Sequence, residues 1–494
     1  TSKMIHGGFR YLAKAEFGLV RESLKERRIM TNISPNFVHP FPFLFSSYQK
    51  DKTPGWMIKL GMMIYELLSF EKGWLWDKSK KMPRYKSLTR EEVPEFVPHA
   101  NLKGLKGGFV YYDCVNHFPE RHTLAFIKSA VKYGAKVSNY CEMEDFLMQK
   151  SGPGKRRISG IVVRDKLNNQ TKKVYGNLVI NCAGPWADRV LNKTNPKTNG
   201  LNLRRSEGIH FITRNLIENT IFAGTTPKNK HFFMVPYRNH TLVGTTDKDF
   251  IGNPDDYQVT RSSVEELLLD VNASFGNGEN IDYADIKYVY GGLRPLVEDQ
   301  TEDVYESSRK YEITDEAKNK IDGLITVEGG KYTTSRNLAE KVVNKALKKT
   351  GMYQKKSISA KRYLVDCEIE NLEDFIREKQ IEYPEFEPSQ IEYLSKSYGQ
   401  EIDAVMALSK EKKEWLKPLN ADGENLGQVL YSIRYEMAYS LTDILLRRTG
   451  LGLTGHPGEE VLNKIADLAA NELCWDENRK KEEIRVVTEK LVVP

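Results

Sequence analysis

The chain has 494 residues, 40% hydrophobic and 29% charged, which is typical of a folded protein with two or three domains. Its net charge of +7 suits an anionic ligand or an anionic membrane surface. The charge falls short of a nucleic-acid-binding signature, because no compact basic stripe interleaved with aromatics occurs. The five cysteines are widely spread and form no Cys-x-x-Cys pair, which excludes a disulfide framework, predicts no metal site and favours a reducing compartment.

The first hundred residues predict two helices and a mixed loop. An apolar stripe on a charged background predicts a helix over 15–30, and an extended proline-bearing stretch follows. The apolar run from Trp56 to Phe70 predicts a second helix, which two charged residues interrupt and which falls short of the ~20 residues needed to span a bilayer. Residues 74–86 mix aromatics with cations, a pattern typical of an exposed loop or of a membrane-facing or quinone-side patch.

Strands and helices then alternate, which predicts an α/β arrangement. The expected elements are a strand at 108–112, a helix at 120–133, a strand from 136, a hairpin over 158–174 and a buried strand at 178–181. The last strand ends at Gly184, where the missing side chain would let the backbone approach a cofactor.

The rest of the chain predicts an antiparallel sheet followed by helices. Short β-rich segments fill 203–290, and a strand at 323–327 leads to a glycine doublet and a long helix near Thr333. After about residue 357 the apolar spacing is helical. The literal G-x-G-x-x-G run at 450–455 follows a helix instead of a strand, so it predicts a loop between helices and no nucleotide site.

Short motifs occur along the whole chain in a fixed order, and each alone would be weak evidence. They are Ser2-Lys3-Met4-Ile5-His6-Gly7-Gly8-Phe9-Arg10-Tyr11, Asn181-Cys182-Ala183-Gly184-Pro185-Trp186, Gly208-Ile209-His210, Gly244-Thr245-Thr246-Asp247, Gly292-Leu293-Arg294-Pro295, Ser308-Arg309, Gly329-Gly330-Lys331-Tyr332-Thr333-Thr334 and Arg447-Arg448-Thr449. Their ordered combination resembles the FAD-dependent, quinone-linked glycerol-3-phosphate dehydrogenase family over essentially the whole chain.

The resemblance implies an α/β plus α fold. Its parts are an FAD/NAD(P)-binding Rossmann-like domain of the glutathione-reductase type, an antiparallel-sheet substrate domain and a C-terminal helical domain. We assign 1–60, 106–202 and 291–356 to the FAD domain, 61–105 to a substrate or cap part, 203–290 to the substrate domain and 357–494 to the helical domain. In the family a Rossmann strand and its glycine-rich loop precede the first motif, so we expect that unit to be absent from the printed chain.

The expected catalytic residues are two histidines and an arginine. His210 is the preferred general base for the C2 hydroxyl, because an imidazole near its usual pKa accepts a proton at neutral pH, and His6 is the second candidate. Arg294 stays protonated, so we expect it to bridge phosphate and hydroxyl and to stabilise a developing alkoxide.

The expected binding residues follow from the same resemblance. Substrate-binding residues are Arg10, Tyr11, Arg309 and Lys331, whose cations and hydroxyl suit a phosphate. Cofactor-binding residues are Ser2, Lys3, Gly7, Gly184, Gly329, Gly330, Lys331 and Thr333, with Lys331 near the flavin pyrimidine edge.

The resemblance implies oxidation of sn-glycerol 3-phosphate to dihydroxyacetone phosphate, with hydride transfer from C2 to FAD and electrons passed to quinone. The alternatives are an oxidase that uses oxygen, a cofactor-free scaffold that has lost its Rossmann entry, and a flavoprotein oxidising amines or amino acids. The implied location is the cytoplasmic face of a membrane, where the protein would bind peripherally, and a homodimer is a further expectation.

Overall fold

The computed structural model describes residues 1–49, 51, 53–98, 100–194, 203–226, 228, 230–275, 280–297, 310–352 and 355–494. Its strands are β1 (Met4–Ile5), β2 (His39–Tyr48), β3 (Lys86–Thr89), β4 (Leu105–Val115), β5 (Cys141–Gly152), β6 (Lys155–Asp165), β7 (Thr171–Tyr175), β8 (Val179–Asn181), β9 (Arg204–Thr213), β10 (Ile221–Thr225), β11 (His231–Tyr237), β12 (His240–Gly244), β13 (Lys248–Phe250), β14 (Tyr288–Leu296), β15 (Tyr311–Asp315), β16 (Ile321–Asp322) and β17 (Leu324–Gly329). Its α-helices are α1 (Phe17–Ile33), α2 (Gly55–Leu68), α3 (Val93–Phe96), α4 (Pro119–Lys132), α5 (Ala187–Asn192), α6 (Arg261–Asn272), α7 (Ser335–Thr350), α8 (Leu372–Glu382), α9 (Pro388–Tyr398), α10 (Ile402–Ser409), α11 (Leu426–Tyr435), α12 (Glu459–Leu473) and α13 (Glu477–Leu491).

One large mixed sheet forms the centre of the molecule. Its order is β1-β4-β2-β10-β11-β12-β9-β13, with β14 also pairing β9 and β3 also pairing β4. Strands β9 to β14 pair antiparallel to one another, as the sequence predicted, whereas β2 joins them parallel to β10. The sheet is covered on both faces: Phe211 and Ile212, adjacent in β9, belong to different apolar cores, as alternation along a strand requires.

Two smaller sheets carry the remaining strands, in the orders β15-β17-β8 and β16-β6-β5, with β7 also on β6. Strand β8 was predicted to be buried, and this was wrong: within the described residues it pairs only with β17, and Ile180 remains exposed. The strand expected from 136 begins instead at Cys141, because its partner β6 ends at Asp165, which faces Cys141 in the ladder.

The division into domains stays a prediction, and sheet membership cuts across it. Strands β2 and β4 come from segments assigned largely to the FAD domain, yet they pair in the large sheet that also holds the strands of 203–290. The parallel ladder between β2 and β10 joins the two sets. The sheets built from β15, β17, β8, β16, β6, β5 and β7 lie outside that large sheet.

Residues after 357 form helices, as predicted, and the glycine-rich run at 450–455 is a series of turns between helices. A π-helix spans Asp443–Arg448 just before it. The carbonyl oxygen of Gly450 accepts a hydrogen bond from Arg238 Nη1 at 2.8 Å, so the loop binds a neighbouring side chain.

A buried ion pair joins the helical region to α4. Arg121 is 5% exposed and donates to both carboxylate oxygens of Glu436, at 2.9 and 3.0 Å, while its guanidinium lies 3.7 Å from the ring centre of Tyr398. Burial acts to raise the pKa of Glu436, but the charges of Arg121 and Lys128 overcome it and lower the pKa to about 2. The pair is therefore ionised at any pH at which the protein works.

We predict that Glu436→Gln lowers the free energy of unfolding by about 3 kcal/mol at pH 7, because it removes the nearest counter-charge of the buried Arg121 guanidinium and leaves Glu401 at 3.5 Å. The pKa of Glu436 is lower in the folded chain than the ordinary 4.5, so the stabilisation is complete above that pH and disappears as pH falls towards 2. Denaturant unfolding of both forms between pH 7 and 3 measures this. Glu489→Gln, which breaks an exposed pair with Arg485, is the control and should change nothing measurable. Equal stability of Glu436→Gln and the parent at pH 7 would contradict the argument.

Candidate active site

Three paired strands place His210 in a slot between a glycine and a tyrosine. In the ladders of β9, His210 faces Gly244 of β12 on one side and Tyr290 of β14 on the other. A Cβ atom at Gly244 would lie 2.3 Å from His210 Cδ2, so only glycine leaves room for the imidazole there. The Tyr290 ring stacks on the imidazole at 5.0 Å with an interplanar angle of 12°. Packing on these two sides therefore restricts the rotation of the imidazole ring.

The imidazole of His210 is buried and neutral. The expectation of an imidazole near its usual pKa was wrong: burial lowers the pKa of His210 well below its usual value, and nearby positive charges, including those of Arg294 and Lys3, act in the same direction. Its Nε2 lies 2.8 Å from the hydroxyl oxygen of Ser2, whereas the buried Nδ1 has no hydrogen-bond partner within the described residues. A ring with one nitrogen at a hydroxyl and the other unoccupied can accept a proton.

Arg294 is held by backbone carbonyls beside this histidine. Its Nη1 donates to the carbonyl oxygens of Glu207 and Thr246, both at 3.1 Å, and its Nη2 donates to Thr245 Oγ1 at 2.8 Å. A Cβ atom at Gly208 would lie 2.0 Å from Arg294 Nη2, so this glycine also makes room for a functional side chain. The result is a cation whose position is fixed in advance.

A buried carboxylate fixes the glycine turn of the first motif. Asp113 Oδ1 accepts a hydrogen bond from the backbone N–H of Gly7 at 3.2 Å and pairs with Arg27 Nη1 at 2.5 Å. The hydroxyl of Tyr65 donates to Asp113 Oδ2 at 2.6 Å. Sequence reasoning missed this group, although a charged residue at the end of an otherwise apolar strand was a usable signal.

Two cations share one tyrosine ring next to that turn. Lys331 Nζ lies 3.9 Å from the ring centre of Tyr11, and the Arg10 guanidinium lies 5.0 Å from the same centre. Arg10 Nη2 also donates to the Tyr11 hydroxyl at 3.3 Å. Lys331 Nζ would be 3.5 Å from a Cβ atom at Gly8, so the absence of a side chain there leaves the ammonium accessible from the turn. This group can receive an anion.

His6 connects the first motif to the segment that follows the glycine doublet at 329–330. Its backbone N–H donates to Thr333 Oγ1 at 3.3 Å. Burial lowers the pKa of His6 to about 4; Asp113 opposes this effect, while Lys331 and Arg10 add to it. His6 is therefore also neutral at pH 7, and its hydrogen bond to Thr333, among the residues that the structure describes, is made by the backbone and not by the ring.

The edge formed by two parallel strands fits a flavin. Strands β8 and β17 run parallel, so their carboxyl ends meet at one edge, where Gly184, Gly329 and Gly330 adopt positive φ values of 56°, 69° and 104°. A Cβ atom at Gly184 would meet nothing within 4 Å, which leaves open space above the backbone. Lys331 follows directly and precedes α7, so the edge combines an accessible backbone with a cation.

The predicted site residues fall into two groups. Ser2 and Arg294 gather around His210, while Gly7, Arg10, Tyr11, Lys331 and Thr333 surround the first glycine turn. The assignment of Lys3 as a cofactor ligand stays a prediction; its buried ammonium lies 3.4 Å from Glu120 and 4.8 Å from the centre of the Tyr237 ring. Arg309 lies outside the described residues.

Two family models and several glycerol-3-phosphate enzymes match this chain. Residues 1–332 match the FAD dependent oxidoreductase family, and residues 325–480 match the C-terminal domain of alpha-glycerophosphate oxidase. A glycerol-3-phosphate dehydrogenase of Mycobacterium leprae is 30% identical over 96% of this chain and 78% of its own length. The aerobic glycerol-3-phosphate dehydrogenase of Bacillus subtilis is 28% identical over 100% and 88%, and the alpha-glycerophosphate oxidase of Streptococcus pneumoniae is 27% identical over 97% and 87%.

The fold also matches a solved structure. The glycerol-3-phosphate dehydrogenase of Bacillus halodurans, complexed with FAD, superposes with a TM-score of 0.76 and 23% identity, covering 99% of this chain and 86% of that one. The fold is thus the FAD-binding type with mixed sheets and a C-terminal helical domain. With the family model matching most of the sequence and a relative 30% identical across nearly all of it, this chain belongs to the FAD-dependent glycerol-3-phosphate dehydrogenase family of oxidoreductases.

Proposed function

We propose that the protein oxidises sn-glycerol 3-phosphate at C2 to dihydroxyacetone phosphate on FAD and passes the electrons to a quinone. The observation that carries this proposal is the buried, neutral imidazole of His210 beside the fixed guanidinium of Arg294. The glycine edge at Gly184, Gly329 and Gly330 would hold FAD, which would supply a hydride acceptor for C2 of the alcohol. The residues of the chain accept the proton, stabilise the negative charge on the C2 oxygen and bind the phosphate.

His210 and Arg294 act on the C2 hydroxyl. The neutral imidazole takes the proton of the C2 hydroxyl. The Ser2 hydroxyl oxygen, 2.8 Å from Nε2, shows that an alcohol oxygen can lie within hydrogen-bond distance of this nitrogen. The positive charge of Arg294 stabilises the oxygen as it becomes negative, and the carbonyls that hold the guanidinium mean that no reorganisation is needed. His6 remains the second candidate for the base.

The phosphate end of the substrate is proposed to bind the group formed by Arg10, Tyr11 and Lys331. Two cations and a phenol hydroxyl within reach of one another match a dianion. Arg309 is proposed as a further phosphate ligand from its motif. This arrangement favours a phosphorylated alcohol over an amine, which carries no anion, and over an amino acid, whose single carboxylate needs fewer cations than a phosphate dianion.

The electron acceptor and the location are also proposed. The net charge of +7 supports a peripheral position at the cytoplasmic face of a membrane, where quinone is dissolved. Oxygen is the second candidate acceptor, because the oxidase of Streptococcus pneumoniae is nearly as similar in sequence as the dehydrogenases. A homodimer remains a prediction.

The first prediction from the proposed function is spectroscopic. The purified protein loaded with FAD should show flavin absorbance that bleaches when glycerol 3-phosphate is added without oxygen, and that does not bleach with glycerol, which lacks the phosphate. Readmitting air or adding a soluble quinone then identifies the acceptor by the rate of re-oxidation. Flavin absorbance that stays unchanged when glycerol 3-phosphate is added would support another flavoprotein class. A failure to retain FAD would support the cofactor-free scaffold.

The second prediction concerns the proton acceptor. His210→Gln should lower kcat by roughly 10²–10⁴-fold, because it removes the base and keeps the approximate shape. Since the pKa of His210 is lowered, its imidazole stays neutral on the acid side, so kcat at saturating substrate should hold steady from pH 8 to pH 6. Stopped-flow reduction of the flavin measures both. His456→Gln, a change at a partly exposed histidine outside the site, is the control; a loss of activity centred near pH 6.5 would argue against His210 as the buried base.

The third prediction concerns space in the sheet. Gly244→Ala should push the His210 ring out of its slot and reduce kcat at least about tenfold with a smaller effect on substrate affinity, because the new methyl would sit 2.3 Å from Cδ2. Gly18→Ala is the matched control, since a Cβ atom there meets nothing within 4 Å. Retained activity in Gly244→Ala would mean that the ring position is unimportant.

A further inference from the structure

The turn between β11 and β12 carries a buried arginine. Arg238 and Asn239 form a two-residue turn with positive φ values of 51° and 59°, a conformation that favours glycine or asparagine. The Arg238 side chain, 4% exposed, lies among residues of the helical region that follows residue 357. Its Nη1 donates to the carbonyl oxygen of Gly450 at 2.8 Å, and its Nη2 pairs with Glu424 and lies 3.3 Å from Asp422. The hairpin is therefore anchored in the helical region by buried, charge-assisted hydrogen bonds.

The residue before this arginine, Tyr237, contacts the lysine of the first motif. The Tyr237 ring is buried, and Lys3 Nζ lies 4.8 Å from its centre. The guanidinium of Arg238 lies 5.8 Å from the same centre, and the His117 imidazole stacks on the ring at 5.9 Å with an interplanar angle of 18°. Close packing on these neighbours fixes the face that the ring presents to the ammonium. The anchor of the hairpin is thus one aromatic ring away from Lys3.

Helix α4 makes a second connection of the same kind. Both carboxylate oxygens of Glu120 lie 3.4 Å from Lys3 Nζ. The next residue, Arg121, pairs with Glu436 of the helical region. Successive residues of an α-helix are about 100° apart, so one turn of α4 can face both partners. A single cavity at this junction is lined by both pairs of adjacent residues, Glu120 with Arg121 and Tyr237 with Arg238. Two such pairs therefore connect the helical region to one lysine.

Lys3 lies next to the residue that contacts the proposed base. Its φ is left-handed at 53°, its side chain is buried, and its carbonyl oxygen accepts a hydrogen bond from the backbone N–H of Asn116 at 2.8 Å. The preceding residue, Ser2, has its hydroxyl oxygen 2.8 Å from His210 Nε2. After burial, the positive charge of Lys3 is one of the effects that lower the pKa of His210. A displacement of Lys3 would therefore move both a hydroxyl and a charge relative to the imidazole.

We propose that the helical region positions the active site, with Arg238 and Glu120 as positioning residues that together fix Lys3 beside the base. This proposal rests on the proposed function and deepens it, because it gives the C-terminal helices a part in the reaction. The proposed phosphate ligands surround the ring of Tyr11, which is outside this chain of contacts. Loss of the anchor should therefore slow the chemical step and leave substrate binding nearly unchanged.

The test is stopped-flow reduction of the FAD-loaded protein by glycerol 3-phosphate without oxygen, which yields a limiting rate and a half-saturating concentration. Arg238→Met should lower the limiting rate at least about tenfold and change the half-saturating concentration less than about threefold. Because Arg238→Met also leaves the buried carboxylate of Glu424 without its cation, a second variant separates stability from positioning. Arg238→Met/Glu424→Gln removes both charges of the pair and should remain as slow. A double variant that is reduced at the parent rate would overturn the positioning role.

Glu120→Gln tests the second connection. It should lower the limiting rate roughly tenfold, because the amide offers no negative charge to the Lys3 ammonium. Since both connections act on Lys3, the two losses should not multiply. The limiting rate of Glu120→Gln/Arg238→Met should lie within about threefold of that of the slower single variant. Fully multiplicative losses would show that the two residues act independently and would overturn the shared path through Lys3.

The matched control is Arg434→Met, the same exchange at an exposed arginine of α11 that pairs with Glu411 and Glu472. It should be reduced at the parent rate. A loss as large in Arg434→Met as in Arg238→Met would indicate general damage to the helical region and would overturn the proposal. If glycerol 3-phosphate does not reduce the parent protein, the proposed function fails and this inference fails with it. If the parent is reduced and Arg238→Met keeps the parent rate, only the positioning role fails.

Discussion

The carboxylate of Asp113 holds together three parts of the molecule that are far apart in sequence. It receives Arg27 from α1, Tyr65 from α2 and the backbone of Gly7 from the first motif, all in the protein interior. Breaking a buried pair on one side leaves the other charge without compensation, at a cost of roughly 3–5 kcal/mol. The glycine turn, the two cations that surround Tyr11 and the link from His6 to Thr333 all depend on the position that this carboxylate sets.

Burial determines the chemistry of the site as much as the identity of its residues does. His6 and His210 are both enclosed next to cations, and both effects lower the pKa of the imidazoles. A histidine in such surroundings stays uncharged across the physiological pH range, so its ring nitrogen remains available to accept a proton. The arginine beside His210 contributes in two ways, since its charge adds to the effect of burial in keeping the base neutral and also stabilises an oxygen that loses its proton.

Much of this could be predicted from the sequence because the information is local. Helices α1, α2 and α4 and the helical end of the chain follow from apolar spacing, and the motifs identify His210, Arg294 and Lys331 without any structure. What could not be predicted depends on pairing between distant strands. The exposure of β8, the parallel ladder between β2 and β10, and the direction taken by the Lys3 side chain follow from partners that no local pattern specifies.

Glycine shapes this site by what it leaves out. Gly208 and Gly244 have no side chains, and the space that a side chain would fill at each is occupied by the guanidinium of Arg294 and the imidazole of His210 from neighbouring strands. The positions of the reacting groups thus depend on two residues that contribute no functional atom themselves. Exchanges that count as mild on most strands, such as glycine to alanine or serine, would be severe at these two positions, so tolerance to mutation is lowest where there is no side chain to lose.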